Sequence, residues 1–251
     1  MTHFWNGNKS VTRQKYEYDQ LELLLTDSQV TPKIKNDLTD YPSAQDEGAV
    51  FENDVDLLVT VAGNKKFDGK RFLEIKSPLC KGLLGWRSII IAKHRSDEFL
   101  NITVDQLKQK VCGVPATWVD ADLFRDNGFK VLEQGNLEDM LDWIETGHVD
   151  FITLGVTEAE QVLASRPEII IEPSAVIYYP FPLVYYVNEK KTELAARLEK
   201  EIQLKSRELD ELFYRYFGDV LESVKRTYKK VIVLENSILP DGYDDALKGF
   251  R

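Results

Sequence analysis

The chain has 251 residues, a mass of 28.9 kDa and 43% apolar residues, so it can fill the core of one large domain or of two smaller α/β units. Its formal net charge of -10 argues against a nucleic-acid partner, because phosphate binding needs a basic face. No apolar run approaches the ~20 residues of a membrane span. The two cysteines, Cys80 and Cys112, are too few for a disulfide scaffold.

The first 63 residues predict a βαβαβ unit. Apolar and polar residues alternate with periods typical of a strand over 2–5, a helix over 13–25 and a strand over 33–38. Ser43 is the expected N-cap of a helix over 43–52. The run VDLLVTV at 55–61 is continuously apolar and rich in β-branched residues, as a buried parallel strand is.

A second βαβαβ unit follows two strands that flank the loop SPLCKGLLGW. Thr103 is the expected cap of its first helix, and Thr117 to Asp120 (TWVD) fits a capping box that opens the next helix. The predicted strands are 72–75, 87–92, 111–114, 130–132, 151–153, 169–171 and 176–179, and the predicted helices are 104–110, 137–146 and 158–163.

The last third of the chain predicts a strand over 184–187, one long helix over 191–217 that ends at Gly218, and a strand over 231–234. Two extended connections, 88–94 and 176–187, predict that one domain is discontinuous. Lobe 1 is expected to comprise 1–94 and 183–251, and lobe 2 to comprise 95–182. Such an arrangement leaves a ligand cleft between the lobes that closes by a hinge motion.

Candidate binding residues stand at strand and helix ends, whereas no catalytic motif is present. Thr117 precedes free backbone N–H groups, which suits a polar or carboxylate group but equally suits a plain N-cap. The indole rings of Trp5, Trp86 and Trp118 are candidates for an aromatic sandwich. Arg87 either anchors a ligand or pairs with an acid. The three histidines are scattered, so neither a metal nor a cofactor is expected.

Four segments together resemble the type II periplasmic solute-binding proteins, in the group of transporter substrate-binding domains related to polar amino acid receptors. The segments are PLCKGLLGWRSIII (78–91), TVDQLKQKVCGVPATW (103–118), VDFITLGVTEAEQVL (149–163) and IEPSAVIYYPFPLVYYVNEKKTELAARLEKEI (171–202). The resemblance implies a two-lobed α/β fold in which each lobe is a mixed sheet flanked by helices and two hinge segments join the lobes.

The resemblance also implies ligand contacts at the ends of particular strands. In such receptors an arginine clamps the ligand carboxylate shortly after the third strand. Here that stretch reads GNKKFDGKR, where a lysine offers a point charge without a bidentate fork. Leu154 stands where related proteins often carry another arginine. With the candidates argued from the residues themselves, the expected ligand-binding set is Trp5, Asn6, Gly63, Asn64, Lys65, Trp86, Arg87, Ala116, Thr117, Trp118, Thr153 and Leu154.

The function that the resemblance implies is capture of a small polar solute for a membrane transporter or a sensor. It implies a monomeric periplasmic protein whose signal peptide is absent from this sequence. The residues alone leave a cytosolic protein open as the alternative. Two alternatives stay open. An enzyme on the same fold, of the cyclohexadienyl dehydratase type, would use a carboxylate among Asp120, Asp122 and Glu158. A sensory or structural module without a ligand would explain the missing clamp arginine.

Overall fold

The computed structural model describes residues 1–27 and 31–243, and all statements of structure concern these residues. Along the chain the strands and helices are β1 (Thr2–Trp5), α1 (Val11–Leu25), β2 (Ile34–Asp37), α2 (Ala44–Gly48), β3 (Leu57–Val61), β4 (Phe72–Ile75), β5 (Trp86–Ala92), α3 (Ser96–Phe99), α4 (Val104–Gln109), β6 (Val111–Val114), α5 (Asp120–Asp126), β7 (Lys130–Glu133), α6 (Leu137–Thr146), β8 (Ile152–Gly155), α7 (Ala159–Leu163), β9 (Ile169–Tyr178), β10 (Leu183–Asn188), α8 (Thr192–Leu204), α9 (Ser206–Thr227) and β11 (Lys230–Val233).

The chain divides into two compact units. Unit 1 comprises Met1–Lys81, Pro182–Asp219 and the chain from Pro240 on, and unit 2 comprises Gly82–Phe181 and Val220–Leu239. These limits differ from the expected boundaries at 94/95 and 182/183. Residues 82–94 fall in unit 2 because β5 pairs with β8 and β9, and residues 220–239 do so because β11 pairs with β9. Residues 28–30 and 244–251 of the expected lobe 1 lie outside the described part.

Unit 1 is built on a five-stranded mixed sheet in the order β2-β1-β3-β10-β4. Strand β1 runs parallel to both β2 and β3, whereas β10 is antiparallel to β3 and β4. All five residues of β3 are buried, as the run VDLLVTV predicts for a central strand. The carboxyl ends of β1 and β3 therefore lie side by side, with the connection from β1 leaving toward β2.

Helix α1 begins at the N-cap Ser10, whose hydroxyl accepts a hydrogen bond from the backbone of Arg13. Its last carbonyls would be left without intrahelical donors. Two basic side chains from the later part of unit 1 satisfy them: the Nζ of Lys205 donates to the carbonyl of Leu23 at 2.9 Å, and Arg197 donates to that of Leu25 at 2.6 Å. These bonds tie α1 to α8 and fix the helix that follows β1.

Unit 2 contains a four-stranded sheet in the order β11-β9-β5-β8 and a parallel pair β6-β7. A parallel bridge between Cys112 and Phe151 joins the two, with the Gly113 N–H donating to the carbonyl of Phe151 at 2.8 Å. The resulting order β7-β6-β8-β5-β9 has the same pattern as β2-β1-β3-β10-β4 of unit 1. The prediction of mixed sheets flanked by helices is confirmed.

Several predicted boundaries are wrong. The long helix 191–217 is two helices: α8 ends at Leu204 with Lys205 as its C-cap, and α9 continues through Gly218 to Thr227. The predicted strands 169–171 and 176–179 form the single strand β9, which carries an irregularity opposite β5. Within that irregularity the buried carboxylate of Glu172 accepts hydrogen bonds from the backbone of Ser174 and Ala175, at 3.0 and 2.7 Å. Polar residues inside a strand thus gain partners that the sequence pattern does not display.

Among the helices in the described ranges, none combines the length and apolar character that a membrane crossing requires.

Candidate functional site

A cavity of about 80 Å³ opens in unit 1 where β1 and β3 end next to each other. The chain leaves β1 toward β2 on one side and then crosses back past β1 to form β3 on its other side, so this is a point where the strand order reverses. In open α/β sheets such points are the usual place of ligand binding. Its polar and aromatic lining consists of Trp5, Asn8, Lys9, Arg13, Glu47 and Thr60.

A buried charge cluster forms one wall of this cavity. The Nζ of Lys9 lies 2.5 Å from one carboxylate oxygen of Glu17, and Arg13 donates to the other oxygen from Nε at 3.0 Å and from Nη2 at 2.8 Å. The side chains of Lys9 and Glu17 are only 5% and 1% exposed. Burial lowers the pKa of Lys9 below its ordinary value, and the Glu17 carboxylate opposes this shift.

A second carboxylate, Glu47, lines the cavity from α2. One of its oxygens accepts from the Nζ of Lys66 at 2.7 Å and from the side-chain amide of Asn8 at 3.0 Å. Asn8 itself has a positive φ of 54° and is held by Asp40 and Tyr41. The loop after β1 is therefore anchored on both sides, and its polar groups have fixed positions around the cavity.

The structure brings the predicted residues Trp5 and Asn6 to this site. Trp5 is buried, lines the cavity, and donates from its indole N–H to the carbonyl of Thr39 at 2.9 Å. Asn6 is fully buried, and its side-chain carbonyl accepts from Lys9 at 3.2 Å. Asn6 thus supports the charged wall from behind.

The predicted residues Gly63, Asn64 and Lys65 begin a short 3₁₀ turn, Lys65–Phe67. Gly63 has a φ of 75° and donates its N–H to the hydroxyl of Tyr186 at 3.1 Å. Asn64 caps the turn and donates to the Thr60 hydroxyl at 2.8 Å, while Lys65 is exposed. None of the three lines the cavity described above, and Thr60 is their link to it.

In unit 2, Arg87 is held by an acid. Its Nη2 lies 3.0 Å from the carboxylate of Asp120, which also accepts a short hydrogen bond from the hydroxyl of Tyr179. All three side chains are buried. Burial disfavours the charged guanidinium, but Asp120 together with Tyr179 and Glu158 outweighs it, so the pKa of Arg87 is raised. Trp86 is partly buried, and its ring lies against that of Tyr178 with 4.9 Å between centroids.

The predicted capping box at Thr117 is wrong. Thr117 has a left-handed φ of 70°, and its backbone N–H donates to the side chain of Glu133 at 3.2 Å. Helix α5 begins only at Asp120, and its N-cap is Val119, whose side chain makes no capping hydrogen bond. Ala116 and Thr117 are exposed, whereas Trp118 packs partly buried against the apolar core of unit 2. Thr117 therefore does not offer a helix N-terminus to a ligand in this arrangement.

The two positions on β8 differ in their surroundings. Leu154 is 2% exposed and belongs to the apolar core of unit 2, so its side chain is a packing group. Thr153 is buried and pairs in register with Ile89 of β5. Gly155, one residue further, lies opposite Arg87, and a Cβ there would lie 3.8 Å from the Nη1 of that arginine.

The charged wall of the unit 1 cavity was missed by the sequence reasoning. The signal that was available is the spacing: Arg13 and Glu17 lie four residues apart on one face of α1, and Lys9 stands four residues before Arg13, just ahead of the N-cap Ser10. Among the described residues no group of three or more His, Cys, Asp or Glu is arranged to hold a metal ion. The lysine, arginine and carboxylate groups instead suit hydrogen bonding to a polar organic solute.

No protein-family model matches the chain, and no curated protein matches it by sequence. Several solved structures, in contrast, align with its fold. An amino acid ABC transporter substrate-binding protein from Streptococcus pneumoniae Canada MDR_19A, bound to L-arginine, aligns with a TM-score of 0.61 at 10% identity over 88% of this chain and 93% of that one. A structure from work on glutathione import via GshT and the cystine importer TcyBC of Streptococcus mutans aligns with 0.59 at 12% identity, over 87% and 94%.

An ancestral arginine-binding protein bound to arginine is a third similar structure, with a TM-score of 0.56 at 15% identity over 87% of this chain and 96% of that one. At such low identity the likeness concerns architecture and carries no information about individual binding residues. The near-complete coverage on both sides agrees with the paired sheet orders of units 1 and 2. The chain has the mixed α/β fold of the type II periplasmic binding proteins.

Proposed function

We propose that this chain is a substrate-binding protein that captures a small polar solute in the cavity between the ends of β1 and β3 and delivers it to a membrane importer. The observation that carries the proposal is the cavity itself: it lies at the point where the strand order of unit 1 reverses, and buried charged side chains line it. The fold is shared with structures of substrate-binding proteins of ABC transporters.

The solutes to test follow from the similar structures, which include proteins bound to arginine and to glutamine and one studied in glutathione and cystine import. A cavity of about 80 Å³ is well below the roughly 300–1,000 Å³ of complete ligand pockets. It would therefore hold one end of such a solute. The working location is outside the cytoplasm, the partner is an importer subunit, and the protein acts as a monomer without a nucleic-acid partner.

Binding, rather than catalysis, is the function that we infer. Among the carboxylates named for an enzymatic alternative, Asp120 is engaged by Arg87 and Tyr179, and Asp122 pairs with Arg125 at 3.0 Å. Acid–base work by either group would first have to break an ion pair. Formation of product from prephenate or arogenate by the purified protein would support the enzyme instead.

The test is a thermal-shift and calorimetry panel of L-arginine, L-glutamine, L-cystine, glutathione, organic acids, amines and sugars. A solute that binds the native state must stabilise it, by about 2.7 kcal/mol at a concentration of 100 Kd. If no compound in the panel raised the melting temperature, a module without a ligand would become the better interpretation.

A matched pair of variants locates the binding. Glu47 and Glu52 each pair with one lysine at 2.7 Å, Glu47 lining the cavity and Glu52 lying outside it. Glu47→Gln removes one negative charge from the lining and is expected to change the affinity for the stabilising solute by about tenfold, downward if the bound end of the solute donates to Glu47 and upward if that end is an anion. Glu52→Gln should leave the affinity unchanged. Equal effects of both variants would contradict the location.

A further inference from the structure

We propose that Lys9 and Arg13, held in place by Glu17, form a seat for one singly charged anionic group of the solute, of the size of a carboxylate. This inference rests on the proposed function, because it assigns the chemistry of the same cavity. No residue of this seat stands at the positions where the resemblance implies ligand contacts.

The geometry of the seat provides donors on a rigid support. Two N–H groups of Lys9 have protein acceptors, Glu17 at 2.5 Å and Asn6 at 3.2 Å, which leaves the third N–H for another acceptor. The Lys9 ammonium also lies over the ring of Phe4 at 5.5 Å. Glu17 divides its two oxygens between Lys9 and Arg13, so one buried carboxylate fixes both cations. Glu17 is therefore a positioning residue.

The charge of the lining favours an anion. When the residues that line the cavity are counted together with their ion-pair partners, Lys9, Arg13 and Lys66 carry three positive charges against two negative charges on Glu17 and Glu47. Glu47 already accepts from Lys66 and from Asn8 through one of its oxygens. An incoming anion thus meets Lys9 and Arg13 on one wall. On the other wall it meets Glu47, whose charge is offset by Lys66.

The size of the cavity limits the group further. Its volume of about 80 Å³ is far below the roughly 300–1,000 Å³ of a complete ligand pocket, so it suits one small group of the solute. A carboxylate fits this space, and its single charge matches the excess of one positive charge in the cluster of paired residues. A doubly charged phosphate monoester would bring more charge than the lining offsets.

Sodium acetate and its neutral analogue acetamide test the seat directly, because neither depends on the identity of the natural solute. The backbone amide NMR signals of Gly7 and Asn8, which line the cavity, report binding. Acetate is expected to shift them saturably, whereas acetamide is not. Arg13→Gln should weaken acetate by about tenfold or more. Glu17→Asp, which keeps the charge but shortens the support, should weaken it as well.

Arg207→Gln is the matched control. Arg207 forms the same i,i+4 pair with a glutamate, Glu211 at 3.0 Å, but is 88% exposed and lies outside the cavity. It should leave acetate binding unchanged. Lys9→Met is a second test of the seat and should also weaken acetate binding. Its fold should be retained, because Glu17 still has Arg13 as a partner in this variant.

Absence of a saturable acetate shift, or an equal response to acetamide, would overturn the seat. If a solute from the panel still bound, the seat alone would be wrong and the proposed function would stand. Conversely, saturable acetate binding that Arg13→Gln and Lys9→Met both weaken would support the seat even if every solute in the panel failed to stabilise the protein.

Discussion

The sharpest test of the charged wall is the removal of its buried carboxylate by Glu17→Gln. The side chain of Glu17 is 1% exposed and that of Lys9 5%, with 2.5 Å between their charged atoms. The substitution leaves the Lys9 ammonium buried without an opposite charge. Breaking a buried pair in this way costs about 3–5 kcal/mol, a large share of the roughly 5–15 kcal/mol of total stability of a typical protein.

Urea denaturation followed by circular dichroism measures this cost. Glu211→Gln is the control, because the Arg207–Glu211 pair has the same spacing but side chains that are 88% and 60% exposed. It should change the free energy of unfolding by about 0.5 kcal/mol or less. A comparably small loss in Glu17→Gln would refute the reasoning, since it would mean that Lys9 is not left unpaired in a dry environment.

A double-mutant cycle separates the orphaned charge from other effects of the substitution. Lys9→Met in the Glu17→Gln background removes the cation that has lost its partner, so the double variant should be more stable than the sum of the single losses predicts. Residues in direct contact show coupling energies of roughly 0.5–3 kcal/mol. Strictly additive losses would contradict a direct interaction between Lys9 and Glu17.

Two further predictions concern the backbone at the cavity and acid stability. Gly7→Ala should unfold or strongly destabilise unit 1 and abolish solute binding, because the new Cβ would lie 2.0 Å from a backbone oxygen. Gly218→Ala lies inside a helix with room for a Cβ and should stabilise the protein by about 0.5–1 kcal/mol. Equal melting temperatures for the two variants would show that the clash at Gly7 is absent. Asp37 is raised in pKa by burial, but hydrogen bonds from Thr39 and His3 prevail and lower its pKa from 3.8 to about 2. Its contribution to stability is therefore full above pH 4 and is lost as the pH falls toward 2. In Asp37→Asn the free energy of unfolding, measured by urea denaturation, should therefore fall less steeply between pH 4 and pH 2. If the free energy of unfolding of Asp37→Asn fell with pH as steeply as that of the unchanged protein, the stabilising bonds of Asp37 with His3 and Thr39 would be contradicted.

Local sequence signals were sufficient where short-range contacts decide the structure. Helix α6 begins and ends at the predicted residues, because Asn136 and Asp139 form a reciprocal capping box and Gly147 ends the helix with a φ of 75°. The buried run of β3 was also found, since a central parallel strand is apolar on both faces. The mixed-sheet architecture was likewise predicted, through the resemblance.

Local signals failed where the partner of a residue is distant in sequence. The TWVD segment has the composition of a capping box. However, the backbone N–H of Thr117 donates to Glu133, sixteen residues further on, and the backbone of Thr117 is in the left-handed region. Arg87 had two open interpretations, and Asp120 decides between them from another element. For Leu154 the neighbouring core, which the sequence does not reveal, makes the side chain a packing group.

For this protein, then, the sequence by itself determined the kind and order of most elements, because hydrophobic periodicity and helix caps act within a few residues. Through the resemblance it also predicted ligand contacts at Trp5 and Asn6, after the first strand; in the structure Trp5 lines the cavity and Asn6 accepts a hydrogen bond from Lys9. Only the tertiary structure decided which charges meet there. Arg13 and Glu17 share a face of α1, and Lys9 precedes that helix by two residues. Whether these charges are solvated or buried beside Glu47 and Thr60 depends on how α1 and α2 pack around the ends of β1 and β3, which no local pattern encodes.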